Sequence, residues 1–113
     1  MSKSDSIYIE HIIDSGNKII TFLEDKTKEA FDSDEKLRLA VIHLLQIIGE
    51  AAGRISKEFC HKHPEIPWKA IIGMRNKVVH DYLGVDENIV WDTATNELPQ
   101  LINKLEKLIK AQS

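Results

Sequence analysis

A long apolar stripe through the middle of the sequence constrains the fold more than any other feature. After Asp32, the residues Leu37, Val41, Leu44, Ile48, Ala51, Ile55 and Phe59 recur every three or four positions without a gap. That spacing puts side chains on one face of an α-helix. Ala40, Leu45, Ile47 and Ala52 widen the face, and a face so broad suits a central helix packed against several others. Asp32 followed by Glu35 resembles a capping box and predicts the start. Pro64 predicts an end near His63, because the residue before proline avoids helical backbone.

Three further helices are expected around this one. The first runs from about Ser6 to Asp25, where Ile9, Ile12, Ile13, Ile19, Ile20 and Leu23 keep the helical spacing. Gly16 interrupts them, either weakening the helix or permitting close packing. Pro64 and Pro67 frame a turn, and Pro67 suits the first turn of a helix from Trp68 to about Tyr82, with Gly84 as its stop. Asp86 is placed to cap the last helix, which reaches about Lys110 on Trp91, Ala94, Leu98, Leu101, Leu105 and Leu108. Pro99 should kink or split it. No stretch alternates as a strand would. The expected fold is one domain, residues 1–113, all-α, an antiparallel up-and-down bundle of four main helices with short connections.

No apolar run approaches a membrane span, residues 1–6 carry no signal-peptide pattern, and one cysteine, Cys60, excludes an internal disulfide framework. These features point to the cytosol. A net charge of −3 argues against a protein that grips nucleic acid by bulk charge. The charge is nevertheless uneven: residues 1–53 are net −4, residues 54–80 net +4 and residues 81–113 net −3. A polyanion would be drawn to the middle of the chain, although ordinary scatter over solvated helix faces gives similar patterns.

Within that basic segment, Met74-Arg75-Asn76-Lys77-Val78-Val79-His80-Asp81-Tyr82 gathers arginine, asparagine, histidine and tyrosine. Residue types alone are equally compatible with a surface cation at Arg75, a helix-end His80 and a core aromatic at Tyr82. The pattern, however, resembles a known family. Arg-x4-His continued as His-x-Tyr is the signature of HEPN ribonucleases, and more narrowly of HepT-like toxins. Ile48-Gly49-Glu50-Ala51-Ala52, His63-Pro64-Glu65-Ile66-Pro67-Trp68, Met74-Arg75-Asn76, Val90-Trp91 and Leu98-Pro99-Gln100-Leu101 also resemble family segments, in order, over nearly the whole chain. The resemblance implies an all-α homodimer that cleaves RNA, with Arg75 and His80 catalytic. It also implies a cognate MNT-type nucleotidyltransferase antitoxin. In related systems that partner silences the toxin by attaching AMP to the motif tyrosine, here Tyr82.

The chemistry is coherent with those residue types. RNA carries its own nucleophile, the 2′-hydroxyl, so cleavage needs proton transfers and a cation rather than a metal or other cofactor. Histidine titrates near neutral pH and suits the proton transfers at His80. Arginine stays charged and offers a planar fork to phosphate oxygens, which suits Arg75. Asn76 could orient phosphate or His80, and Lys77 could add phosphate attraction. One motif histidine per chain is too few for both acid and base, and a two-fold dimer would supply two. On an ideal helix Arg75 and His80 lie about 140° apart, so the arginine must reach round or the helix must unwind near His80.

Other residues carry less. Cys60-His61-Lys62-His63 lacks a second cluster to complete a zinc site, so no metal site is expected. Trp68 and Trp91 fall on apolar faces and read as core. Glu50 lies in an apolar stretch and should pair with a cation, either Arg75 or, more simply, Arg54 four residues on. Gly49 and Gly53 are spaced for close helix packing, and no glycine-rich phosphate loop is present. The rival to a ribonuclease is a non-catalytic helical dimer that serves as the substrate-binding or docking subunit of a nucleotidyltransferase. The intact Arg75–His80 pair favours the enzyme.

Overall fold

In a computed structural model, which describes residues 1–79 and 86–112, helices make up almost all of the described chain. Helix α1, Lys3–Leu23, starts earlier than its apolar pattern implies because Ser2 caps it, accepting from the Asp5 N–H at 3.0 Å. A side-chain cap of this kind stabilises a helix by about 1 kcal/mol. The helix stops short of Asp25, whose φ of 61° is left-handed backbone that aspartate tolerates better than most residues.

A short helix follows that the apolar pattern does not announce: α2, Lys28–Ser33, capped by Thr27. It delivers Phe31, fully buried, to the core. Asp32 lies inside α2 and pairs with Lys28, so it is not the cap of the central helix. That role belongs to Asp34, whose carboxylate accepts from the Leu37 N–H at 3.1 Å at the start of α3, Glu35–Gly53. Arg38 donates to the Phe31 and Asp32 carbonyls at the end of α2, which satisfies acceptors that a helix end leaves open.

The central stripe is also broken where its spacing runs on. The chain leaves helix after Gly53 and re-enters at α4, Lys57–Lys62, with Ser56 as the cap. The reason is a buried carboxylate from elsewhere in the sequence. Asp5 accepts from the Ser56 N–H at 2.8 Å and from its hydroxyl at 2.7 Å. Asp5 is itself 4% exposed, a cost that these bonds offset. Ile55, within the break, and Phe59, in α4, both remain in the core.

Helix α5 begins at Trp68, with the Pro67 carbonyl accepting from Ala70 and Ile71, and is described through Val79. Its expected end near Tyr82 and stop at Gly84 lie outside the described residues. Asp86 caps α6, Glu87–Asp92, through the Asn88 N–H. The split expected at Pro99 takes the form of a π-helical stretch, Thr93–Glu97, before α7, Leu98–Gln112. Proline has no N–H and its ring collides with the carbonyl four residues back. Widening the preceding turn relieves both, so the helix changes pitch there instead of ending.

Helix α3 packs on both α1 and α5, and α7 packs on α1. The neighbours run antiparallel. Asp5 near the start of α1 meets Ser56 beyond the end of α3, while Gly16 in its second half meets Ile102 and Leu98 in the first half of α7. Ile9, Ile12, Ile19, Val41, Leu45, Ile48, Ile71, Met74, Leu98 and Leu105 fill the shared core. A Cβ at Gly16 would fall 2.3 Å from Ile102 Cδ1, so this glycine serves close packing. Among the described residues no helix is long and apolar enough to cross a membrane.

Candidate functional site

Helix α5 is fixed by Ile71 and Met74, both essentially fully buried. One position beyond Met74 the helix turns outward, and Arg75 and Asn76 are exposed. The backbone of α5 comes very close to α3 here. An ideal Cβ at Gly49 would lie 2.5 Å from Arg75 Cβ and 2.9 Å from its backbone nitrogen. Glycine at 49 is therefore what allows α3 and α5 to meet at Arg75. Gly53 plays no such part: a Cβ there would meet nothing within 4 Å.

The close approach settles the partner of Glu50. Its carboxylate lies 3.9 Å from Arg75 Nε, whereas Arg54 has no ion-pair partner among the described residues. Both members of the pair are 52% exposed, so the pair adds little stability, at most about 1 kcal/mol. At 3.9 Å the contact is longer than a hydrogen bond, and it leaves the guanidinium half exposed. A guanidinium can donate to two phosphate oxygens side by side. Gly49, Glu50, Gly53, Arg54, Ile72, Arg75 and Asn76 line an open hollow of about 330 Å³ around it.

Of the residues singled out in the sequence, the structure thus brings Arg75, Asn76 and Glu50 together. His80 and Tyr82 lie outside the described residues, as does the side chain of Lys77. Trp68 is buried, as its apolar face implies, and its indole N–H donates to the His63 carbonyl at 3.0 Å. Trp91 is half-buried against Phe31, with ring centroids 5.3 Å apart. His63 packs against Phe59 with the rings tilted and contacts Glu65 at 3.3 Å, while His61 is exposed. Among the described residues no three His, Cys, Asp or Glu side chains gather as a metal-holding group. Burial, and then the charge of Asp5, push the Cys60 thiol above its usual range, which makes it a weak nucleophile. The Asp5–Ser56 link gave no local signal, because its members are far apart in sequence and neither sits in a motif.

The family model described as "Ribonuclease HepT-like" matches residues 12–108. A Thermococcus cleftensis protein named "Probable ribonuclease HepT" is 41% identical over 110 residues, covering 97% of this chain and 100% of the relative. A Methanocaldococcus jannaschii protein named "Putative RNase MJ0125" is 40% identical over 111 residues, covering 97% and 96%. No solved structure matches the chain. A family match running from within α1 into α7, with relatives aligned over nearly their whole lengths, makes this chain a member of the ribonuclease HepT-like family.

Proposed function

We propose that this chain is a metal-independent endoribonuclease of the HEPN toxin type, acting in the cytosol as a homodimer. The observation that carries the reading is the setting of Arg75, a half-exposed guanidinium beside Glu50 in an open surface hollow. The family match and the ribonuclease names of the relatives support the substrate class.

In the reaction the 2′-oxygen attacks the adjacent phosphorus as its proton passes to one His80. The bond to the 5′-oxygen breaks, and that oxygen takes a proton from the other His80 of the dimer. The products are a 2′,3′-cyclic phosphate and a free 5′-hydroxyl. Charge on the phosphorane rises in the transition state, where the fork of Arg75 binds it more strongly than in the ground state. Asn76, exposed beside Arg75, supplies a further hydrogen bond to phosphate, and Lys77 adds attraction. A cognate MNT-type nucleotidyltransferase is the antitoxin. AMP on Tyr82 adds negative charge and bulk close to the site, and both disfavour RNA.

The test is cleavage of RNA in EDTA by wild type, Arg75→Ala and His80→Ala, with the protein free of antitoxin and confirmed by mass to carry no AMP. Cleavage by wild type to cyclic-phosphate ends, lost in both variants while the dimer persists, is expected. Folded, unmodified wild type that cuts no faster than His80→Ala would overturn the proposal in favour of a docking subunit.

A further inference from the structure

The basic island at residues 54–80 is sorted by the fold. Lys62 pairs with Glu58 at 3.3 Å, and His63 contacts Glu65. Arg54, Lys57 and Lys69 behave differently: all three are exposed, and none has an acidic partner among the described residues. Lys57 and Lys69 stand in the first turns of α4 and α5. A cation there opposes the helix dipole, so these lysines are not placed to stabilise their own helices.

Both lysines border an apolar groove of about 670 Å³ between the end of α3, α4 and the start of α5. Ile55, Ile66, Trp68 and Ile72 contribute apolar surface, and among the described residues no carboxylate lines it. The groove shares Gly53 and Ile72 with the hollow around Arg75, and Arg54 stands in that hollow beside Gly53. An apolar surface rimmed by unpaired cations fits a single nucleic-acid strand, whose bases want a dry face and whose phosphates want positive charge.

We propose that this groove is the strand-binding subsite of the ribonuclease. An unstacked base of single-stranded RNA lies on the apolar floor, and its flanking phosphates meet Lys57 and Lys69. The strand then passes Gly53 and Arg54 to reach Arg75. The inference rests on the ribonuclease reading, and it favours RNA over a protein segment because the groove opens into the hollow that holds the candidate catalytic arginine.

The experiment measures binding of a short labelled single-stranded RNA of mixed sequence to the full chain. His80→Ala is present to prevent cleavage, with and without Lys57→Gln and Lys69→Gln together. Roughly tenfold weaker binding at low salt is expected, with the slope of log affinity against log salt shallower by about 1.4, about 0.7 for each lost phosphate contact. RNA carrying 4-thiouridine should crosslink to peptides containing Trp68. Unchanged affinity and slope, with an RNA that wild type cleaves, overturn the groove and leave the ribonuclease standing. Absence of both binding and cleavage overturns both. A changed sedimentation behaviour of the lysine variant with unchanged RNA affinity makes the groove a subunit interface and overturns the proposal.

Discussion

Gly49→Ala tests whether the contact between α3 and α5 is as tight as described. A new Cβ would sit 2.5 Å from Arg75 Cβ, 2.9 Å from its nitrogen and 3.1 Å from its Cα. Carbon atoms in contact prefer about 3.5–4.0 Å, so the helices must part by about 1 Å. The obstacle is backbone and cannot swing aside. Overpacking of this kind costs about 1–3 kcal/mol, and alanine returns about 1 kcal/mol of helix propensity. Because the clash is with backbone, the upper part of that range applies, about 2–3 kcal/mol, and the expected net loss is about 1–2 kcal/mol. For a chain of 113 residues that lowers Tm by roughly 3–8 °C. Gly53→Ala is the control: its Cβ meets nothing within 4 Å, so stability should hold or rise by up to about 1 kcal/mol. Urea unfolding followed by circular dichroism, at one fixed protein concentration, reads both. A Gly49→Ala midpoint at or above wild type, or an equal loss in Gly53→Ala, refutes the reasoning. Because Arg75 moves with the backbone, RNA cleavage by Gly49→Ala should also fall, by up to about a hundredfold for a displacement near 1 Å.

Further outcomes follow from the buried polar contacts. Burial raises the Asp5 carboxyl, but the Ser56 N–H, the Ser56 hydroxyl and Ser2 outweigh it and hold the group below its ordinary 3.8. Its contribution to stability is therefore complete above that value and is lost as pH falls through the lowered pKa. An acid-unfolding series should show Asp5→Ala less stable by about 2 kcal/mol near neutrality, with a shallower decline in acid. Trp68→Phe removes the 3.0 Å indole donor from the His63 carbonyl, which keeps the Ile66 N–H, and should cost about 0.5–1.5 kcal/mol in urea unfolding. Cys60, with its thiol raised by burial and by Asp5, should react with a thiol-specific disulfide reagent much more slowly in the folded chain than in urea. Equal rates would show the thiol to be neither buried nor shielded.

The main helices are legible in the sequence because each carries an apolar face long enough to define a period. Their ends are less so. Asp32 and Asp34 are both plausible caps by residue type, and only the presence of α2 consigns Asp32 to a pair with Lys28. Phe31 stands in a polar stretch with no apolar partner nearby in sequence, yet it is fully buried. The stripe through Ile55 and Phe59 reads as one helix because both residues do face the core. What breaks it is a carboxylate 51 positions away, invisible to any local pattern. At the candidate site, Glu50 is recognisable as a carboxylate needing a cation, but choosing Arg75 over Arg54 requires the helix approach that Gly49 permits. Gly53 has the same spacing and no such role. The groove rim is illegible for the same reason: which lysines lack acids is settled by folding, not by order in the chain.

The link between Asp5 and Ser56 also bears on how the bundle opens. Helix α4 has six residues, too few to persist alone, and it packs only lightly on the other helices. Phe59 anchors it, and Ser56 caps it while tied to Asp5. In hydrogen exchange α4 should therefore form its own low-energy opening unit, released before α1, α3 and α7 let go. Protonating Asp5 would lower that opening energy selectively, so acid below the ordinary carboxylate range should first loosen one wall of the groove and leave the rest of the bundle protected.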